Sequence, residues 1–333
     1  MKRSPVNLRP MLGIRPDLSV VTLAHAISAY AQNGFLPDAV ARAKLVTCFQ
    51  KLMGLRINSF SEPCWGYHFD VQTRVFFYPR TTPNTIASAF AGLAMLDAFE
   101  RTGLEEAVHV ANGVADFFVR HVPQTPDGVG SYFGYLPGDA TPIHNANTLV
   151  SALLVRLARL TDRADLAEIA AAGFTYTAHR QRDDGSWPYG ERPGLSWVDG
   201  FHTGYVLDCL LDFIETGWAD ADIADAWERG FDYYATHLVE PGGLPRYTPT
   251  RRFPVDGQCA AQAIQTLSRG AERSPSLAER RWAVFRYSME HLSRPDGAFT
   301  FQRERYWSNR AAHPRWVEAP MLHALTHLIA SEQ

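Results

Sequence analysis

Three side chains capable of acid–base chemistry are spaced three residues apart in the segment WVDGFHTGYVLD: Asp199, His202 and Tyr205. Residues three apart are neighbours on a helix, so these side chains share one face if a helix begins here. A histidine beside a carboxylate is a common general acid or base. The spacing therefore predicts proton transfer by His202 with Asp199 and Tyr205 beside it. Asp199 could instead only cap the helix, and His202 could only pack.

Polar and aromatic residues recur at other predicted helix starts and in the loops before them. The further catalytic candidates are Asp256 and Glu318. The substrate-binding candidates are Trp65, Tyr67, Asn84, Asn147, Trp187, Tyr189, Arg246, Tyr247, Gln258, Arg315 and Trp316. Rings and convergent polar groups suit a sugar, and arginines such as Arg74 suit an acidic one through two-point contact with a carboxylate.

Two kinds of sugar chemistry fit these residues. Proton abstraction beside a uronate carboxylate needs a base such as His202 or Tyr205, with Asn147 or Arg246 neutralising the carboxylate, and leads to epimerisation or to elimination. Glycoside hydrolysis would need two facing carboxylates, taken from Asp199, Asp256 and Glu318. We favour the first and keep the second, with a non-catalytic glycan-binding scaffold as a further alternative.

The sequence predicts no metal and no cofactor. Its four cysteines show neither CxxC nor zinc-finger spacing, which indicates reduced thiols. Asp256 and Cys259 with a distant His313 or His323 remain a conceivable zinc set, because zinc accepts all three residue types.

The elements that must hold these residues form a repeat. Six apolar helical segments align on a residue pair near their starts, and successive pairs lie 55 to 63 residues apart. Between them lie segments with a single apolar stripe, which is typical of helices with a solvent face. Buried helices alternating with amphipathic ones predict an all-α protein, an α/α toroid of six inner helices with long loops collected at one end.

The repeats begin near residues 19, 82, 145, 199, 256 and 317, and no linker divides the chain, so we predict a single domain over 1–333. Polar residues before five inner helices are the expected N-caps, since their side-chain oxygens can accept from the first free N–H groups. These residues are Ser19, Thr82, Asn145, Asp199 and Asp256.

Composition narrows the possible partners. The net charge is −3 and no basic tract is present, which argues against nucleic acid. No window reaches the roughly 18 apolar residues of a membrane span, and the N-terminal segment lacks a signal-peptide pattern. A cytoplasmic protein acting on a saccharide or glycan precursor is the prediction.

Short motifs resemble known toroid families. Gln181 to Trp187, QRDDGSW, resembles the Q-x-x-x-G-x-W repeat of squalene cyclases, while VDGQC and DGFHTGYVLDCL resemble helix starts in protein prenyltransferase β-subunits. CWGYHFDVQTR with PNTIASAF, and DGSWPYG with WVDGFHTGYVLDCL, resemble toroid proteins of exopolysaccharide and capsule biosynthesis. The last resemblance implies a role in polysaccharide production. The first two imply an isoprenoid substrate as the alternative, although the chain lacks the acidic D-x-D-D cluster of terpene cyclases.

Overall fold

The protein was analysed as a computed structural model that describes residues 8–72 and 77–332. It is mostly helical. The six inner helices are α1 (Val20–Gln32), α3 (Thr85–Thr102), α5 (His144–Leu160), α7 (Gly200–Glu215), α9 (Gly257–Arg269) and α12 (Ala319–Ala330). Each packs against the next, and α12 packs against α1, which closes the ring. The predicted α/α toroid is confirmed.

The amphipathic segments form the outer layer, as predicted. The outer helices are α2 (Asp38–Met53), α4 (Glu105–His121), α6 (Ala164–His179), α8 (Ala221–Tyr233) and α11 (Arg280–His291), with a short α10 (Pro275–Ala278) before α11. A π-helical turn, Tyr234–Leu238, extends α8. Each outer helix packs on the inner helix that precedes it. In α4 the face carrying Ala111 and Phe118 is buried, while His109 is exposed.

Three of the expected N-caps are confirmed by their hydrogen bonds. Ser19 accepts from the Thr22 N–H at 3.5 Å, Asp199 from the His202 N–H at 2.9 Å and Asp256 from the Gln258 N–H at 2.9 Å.

The other two expected caps were wrong. Thr82 lies two residues before the real cap, Asn84, whose extended backbone lets its side chain accept from the Ala87 N–H at 2.9 Å. Asn145 lies inside α5, because that helix already starts at His144. There the first N–H donates to the Tyr189 carbonyl at 3.1 Å, so a loop carbonyl replaces a side-chain cap.

Short antiparallel strands stiffen the connections that lead into the inner helices. The pairs are β1 (Val71–Gln72) with β2 (Phe77–Tyr78) and β3 (Gln124–Pro126) with β4 (Ser131–Phe133); β5 (Val255–Asp256), β6 (Gln302–Arg303) and β7 (Ser308–Asn309) form a three-stranded sheet. These connections lie where the inner helices begin, which we call the loop end; the far end is where those helices finish. Of the described helices, none has the length and apolar character needed to cross a bilayer.

Candidate active site at the loop end

Asp199 and His202 form a hydrogen-bonded pair at the start of α7. Asp199 Oδ2 lies 2.6 Å from His202 Nδ1, while Oδ1 accepts from the His202 N–H. The Trp197 indole donates to the same Oδ2 at 3.0 Å. One buried carboxylate thus fixes both the backbone and the ring of His202, which directs Nε2 away from Asp199.

Aromatic rings surround the outward side of His202. Tyr189 and Phe201 have ring centroids 4.5 and 4.0 Å from the imidazole, and Trp197 stacks on Tyr189 at 4.5 Å. The His202 side chain is 22% exposed, and within the described part of the chain its Nε2 makes no hydrogen bond. This nitrogen can therefore exchange a proton with a bound molecule.

A cluster of tyrosines fills the centre of the loop end. Tyr67, Tyr78 and Tyr135 are buried with ring centroids 6.3 to 6.4 Å apart in successive pairs. Burial raises the pKa of Tyr135 and of Tyr205, and in both cases the charge of Arg315 opposes the rise. The guanidinium thus lies close to tyrosines from three different repeats.

Arg315 and Arg246, two predicted substrate-binding arginines, have different surroundings. Arg315 stacks on the Tyr67 ring at 3.8 Å, and no described carboxylate pairs with it. Arg246 is held by Glu240 at 3.1 Å and by the Pro249 carbonyl at 2.8 Å. Arg74 lies outside the described residues. Of these three arginines, Arg315 is the one described without a carboxylate partner, so its positive charge is available to an anion.

The other two carboxylate candidates are engaged by the protein. Asp256 Oδ1 caps α9 and its Oδ2 accepts from Gln302 at 2.7 Å. Glu318 accepts from the Phe299 N–H at 3.2 Å, and burial raises the pKa of its carboxyl. Both therefore support local structure.

The predicted amide ligands also have structural partners. Asn147 accepts from the Phe133 N–H and donates to the Gly173 carbonyl and Thr177, so its amide is satisfied within the core. Asn84 caps α3 through its oxygen. Gln258 differs, because it donates to the Tyr205 hydroxyl at 3.1 Å and ties this tyrosine to α9.

Two of the predicted tryptophans are wedges between helices. Trp65 is fully buried and donates to the Leu52 carbonyl at 2.8 Å. Trp187 is 2% exposed, donates to the Thr177 carbonyl at 2.8 Å and fills space at Gly230, where a Cβ would lie 2.3 Å from the indole. Their positions match the packing role that glycine-turn aromatics can take.

The remaining two aromatic candidates lie at the rim of the loop end. Trp316 stacks with Phe301 at 5.6 Å, and Tyr247 lies 6.0 Å from Phe201. Both are half-buried, so each retains surface that a ligand can reach.

The sequence analysis missed Trp197, Phe201 and a second pair, His144 with Glu191. His144 Nε2 lies 2.7 Å from Glu191, and Nδ1 lies 3.5 Å from Thr177. With both ring nitrogens engaged and the residue 1% exposed, this pair is structural. The position of Trp197 two residues before Asp199 was a signal that could have been followed.

Little empty space remains around His202. The cavity lined by His144, Trp187, Tyr189 and His202 measures about 10 Å³, about the room for one water. This cavity is too small for a sugar, so a ligand would lie across the exposed side of the rings around His202, which we call the shallow surface. Within 8–72 and 77–332, no three His, Cys, Asp or Glu side chains are grouped to hold a metal ion.

Solved structures share this fold across nearly the whole chain. The chain is similar to cellobiose 2-epimerase from Bacillus thermoamylovorans (TM-score 0.73, 11% identity, 94% of this chain and 87% of that one). It is also similar to a family 76 α-mannanase from Bacteroides thetaiotaomicron, with a TM-score of 0.72 and 11% identity over 96% of this chain and 88% of that one. A polysaccharide lyase matches with a TM-score of 0.65 and 13% identity over 95% of this chain and 90% of that one. No family model and no curated protein matches the chain. The resemblances to squalene cyclases, prenyltransferases and capsule-cluster proteins therefore stay predictions.

Proposed function

We propose that the protein is a carbohydrate-acting enzyme that uses His202 as a proton-transfer group at the loop end. The observation that carries this proposal is the Asp199–His202 pair, with Nδ1 held at 2.6 Å and Nε2 directed outward. A carboxylate in this position fixes the ring and stabilises the imidazolium formed when Nε2 accepts a proton. The named activities of the similar structures (an epimerase, a mannanase and a lyase) support a saccharide substrate.

The substrate class we propose is an acidic sugar within a glycan. Arg315 has no described carboxylate partner and lies among the same tyrosines as Tyr189. A guanidinium binds a sugar carboxylate by two parallel hydrogen bonds. Tyr189, Phe201 and Tyr247 supply ring faces on which a sugar can stack. A shallow surface of this kind suits an extended chain, in keeping with the predicted role in polysaccharide production.

The proposed reaction begins with removal of a proton from the carbon beside the carboxylate. His202 Nε2 takes this proton, and the electron pair is delocalised into the carboxylate that Arg315 neutralises. His202 releases that proton to solvent, and a proton from water adds to the opposite face to give the epimer. Alternatively the bond to the oxygen substituent on the neighbouring carbon breaks, the departing oxygen takes the proton from His202 Nε2, and an unsaturated sugar and a released chain result.

The alternatives have less support from the geometry. A hydrolase needs two free facing carboxylates, whereas Asp256 and Glu318 are occupied by local hydrogen bonds. An isoprenoid enzyme needs a deep apolar cleft, and the cavity beside His202 is about 10 Å³. A non-catalytic scaffold fits the small cavity beside His202, and the experiment below distinguishes it from the proposal.

The test is proton exchange in heavy water. Uronate-containing oligosaccharides are incubated with the protein, and exchange at the carbon beside the carboxylate is followed by NMR. His202→Ala is expected to lower the exchange rate about a hundredfold or more. His109→Ala on the exposed face of α4 is the matched control and should keep the full rate.

Three results decide the proposal. Exchange that depends on His202 supports it. Binding of the oligosaccharides without exchange in the wild type establishes the scaffold alternative. Exchange that survives in His202→Ala, or tight binding of an isoprenoid diphosphate with none of any oligosaccharide, overturns it.

A further inference from the structure

A second cavity occupies the axis at the far end, and we call it the far chamber. Its volume is about 590 Å³, and all six inner helices contribute to its lining. Phe90 and Tyr205 line it at its inner limit, where their rings meet edge to face at 5.4 Å. Phe201, on the loop-end side, lies 6.1 Å from Tyr205. This tyrosine therefore stands between the far chamber and the shallow surface at His202.

Three buried polar atoms on residues that line the far chamber have no hydrogen-bond partner among the described residues. They are His25 Nε2, Asp208 Oδ1 and Ser268 Oγ, on residues that are 4%, 5% and 5% exposed. The other polar side-chain atoms of His25 and Asp208 are engaged, since His25 Nδ1 lies 3.3 Å from His323 Nδ1 and Asp208 Oδ2 accepts from Gln262 at 2.8 Å. Buried polar groups are nearly always hydrogen-bonded. Three such atoms around one cavity indicate groups that can bind a ligand.

The charges around the far chamber indicate the sign of the charge that a ligand there should carry. Among the described residues that line it, Asp97, Glu100, Asp208, Asp212, Glu215 and Glu272 are acidic, and Arg101, Arg156, Arg159 and Arg269 are basic. The two inner arginines are already paired: Arg156 bonds to Asp97 at 2.7 Å and Arg269 to Asp212 at 2.7 Å. The lining thus has two more acids than bases, and this excess disfavours an anion.

The histidines add neutral hydrogen-bonding groups. Burial lowers the pKa of His25 to about 3 and that of His323 to about 4. Both imidazoles are therefore uncharged at neutral pH, and each can donate or accept. They suit hydroxyl groups, while the Asp208 carboxylate suits a cation.

We infer that the far chamber is a binding site for a small polyhydroxylated ammonium compound, of which an amino sugar is the simplest. The ammonium group donates to Asp208 Oδ1, a hydroxyl pairs with His25 Nε2, and the carbon skeleton rests on Phe90 and Tyr205. Aromatic faces favour both sugar rings and cations. This site is distinct from the one at His202 and takes the opposite charge.

Calorimetric titration at pH 7.5 tests the assignment with D-glucosamine, D-glucose and D-glucuronate. We expect glucosamine to bind most tightly, glucose about tenfold more weakly and glucuronate not at all. Asp208→Asn should weaken glucosamine binding about tenfold, and His202→Ala should leave it unchanged. Gln265→Trp, which fills the chamber from the wall beside Asp208, should abolish it by a different route.

Thermal unfolding shows that each variant is folded before it is titrated. Binding of glucosamine that is lost in Asp208→Asn or Gln265→Trp and kept in His202→Ala supports the proposal. Absence of glucosamine binding by the wild type, equal affinity for glucuronate, or binding lost in His202→Ala and kept in both chamber variants overturns it.

Discussion

The two ends of the toroid axis differ in what fills them. At the loop end the cavity beside His202 measures about 10 Å³, whereas the far end holds a chamber of about 590 Å³. The loop end has a stacked arginine without a described acid partner, Arg315, and the far end has arginines bonded to acids. One end presents the Asp199–His202 pair among aromatic rings, and the other presents a polar pocket.

The difference follows from which elements supply the side chains. Loops at the loop end insert tyrosines and tryptophans over the helix starts, where their rings pack against one another. At the far end the walls are the last turns of the inner helices, which place Asp97, Arg156, Asp208 and Arg269 around the axis.

The largest expected effect comes from breaking an arginine pair at the far end. Arg156→Met leaves the mostly buried carboxylate of Asp97 without its cation, while Glu100 keeps Arg159 at 2.8 Å. The free energy of unfolding should fall by about 3 kcal/mol, measured with urea. The matched loop-end variant, Arg315→Met, loses only ring stacking and should cost less than about 1 kcal/mol. Equal losses would show that the two arginines are held in the same way.

A smaller change at the loop end should separate chemistry from stability. Asp199→Asn keeps an oxygen to cap α7 but removes the carboxylate from His202 Nδ1. We expect proton exchange to fall about a hundredfold, while the free energy of unfolding falls by about 1 to 3 kcal/mol, because the Trp197 indole N–H loses its acceptor. Asp220→Asn, the same substitution at the N-cap of α8, is the control and should leave exchange unchanged. The pairing of Asp199 with His202 has no catalytic value if both variants retain the wild-type rate.

The smallest effect concerns the pH dependence of stability at the far end. Burial raises the pKa of Asp208 from its ordinary 3.8 to about 6. At a pH between these two pKa values the folded protein holds a proton on Asp208 that the unfolded chain has released. The contribution of this bound proton to the free energy of unfolding is complete below the lower pKa and is lost as the pH rises through the higher pKa. From pH 4.5 to 7.5 the stability of Asp208→Asn relative to wild type should therefore improve by about 1 to 2 kcal/mol.

Urea titrations of both proteins at the two pH values measure that difference. Subtracting the free energy of unfolding of the wild type from that of Asp208→Asn removes the contribution of His25 and His323, which both proteins retain. The lowered pKa values of these histidines make stability rise with pH, opposite to the effect of Asp208. A difference that does not change with pH would mean that Asp208 is ionised in the folded protein throughout this range.

The helix starts could be predicted from the sequence, and the far chamber could not. Apolar periodicity and glycine turns are local signals, and they located the six inner helices and the Asp199–His202 pair. The chamber depends on charged residues such as Asp97 and Asp212 that interrupt apolar helices near their ends. In the sequence such residues look like solvent-facing positions at frayed ends. Only closure of the ring brings them together, because each comes from a different repeat.

The ring closes where α1 packs against α12, and we call this contact the seam. His25 and His323 meet there across 298 positions of sequence, and Thr326 donates to Gln32 at 3.1 Å beside them. Contacts this distant form late, because much of the chain must be ordered first. Until α12 docks, the far chamber lacks one wall and cannot retain a ligand. A molecule bound there would favour the closed ring and link α1 to α12, stabilising the fold by an amount that grows with the logarithm of its concentration above the Kd.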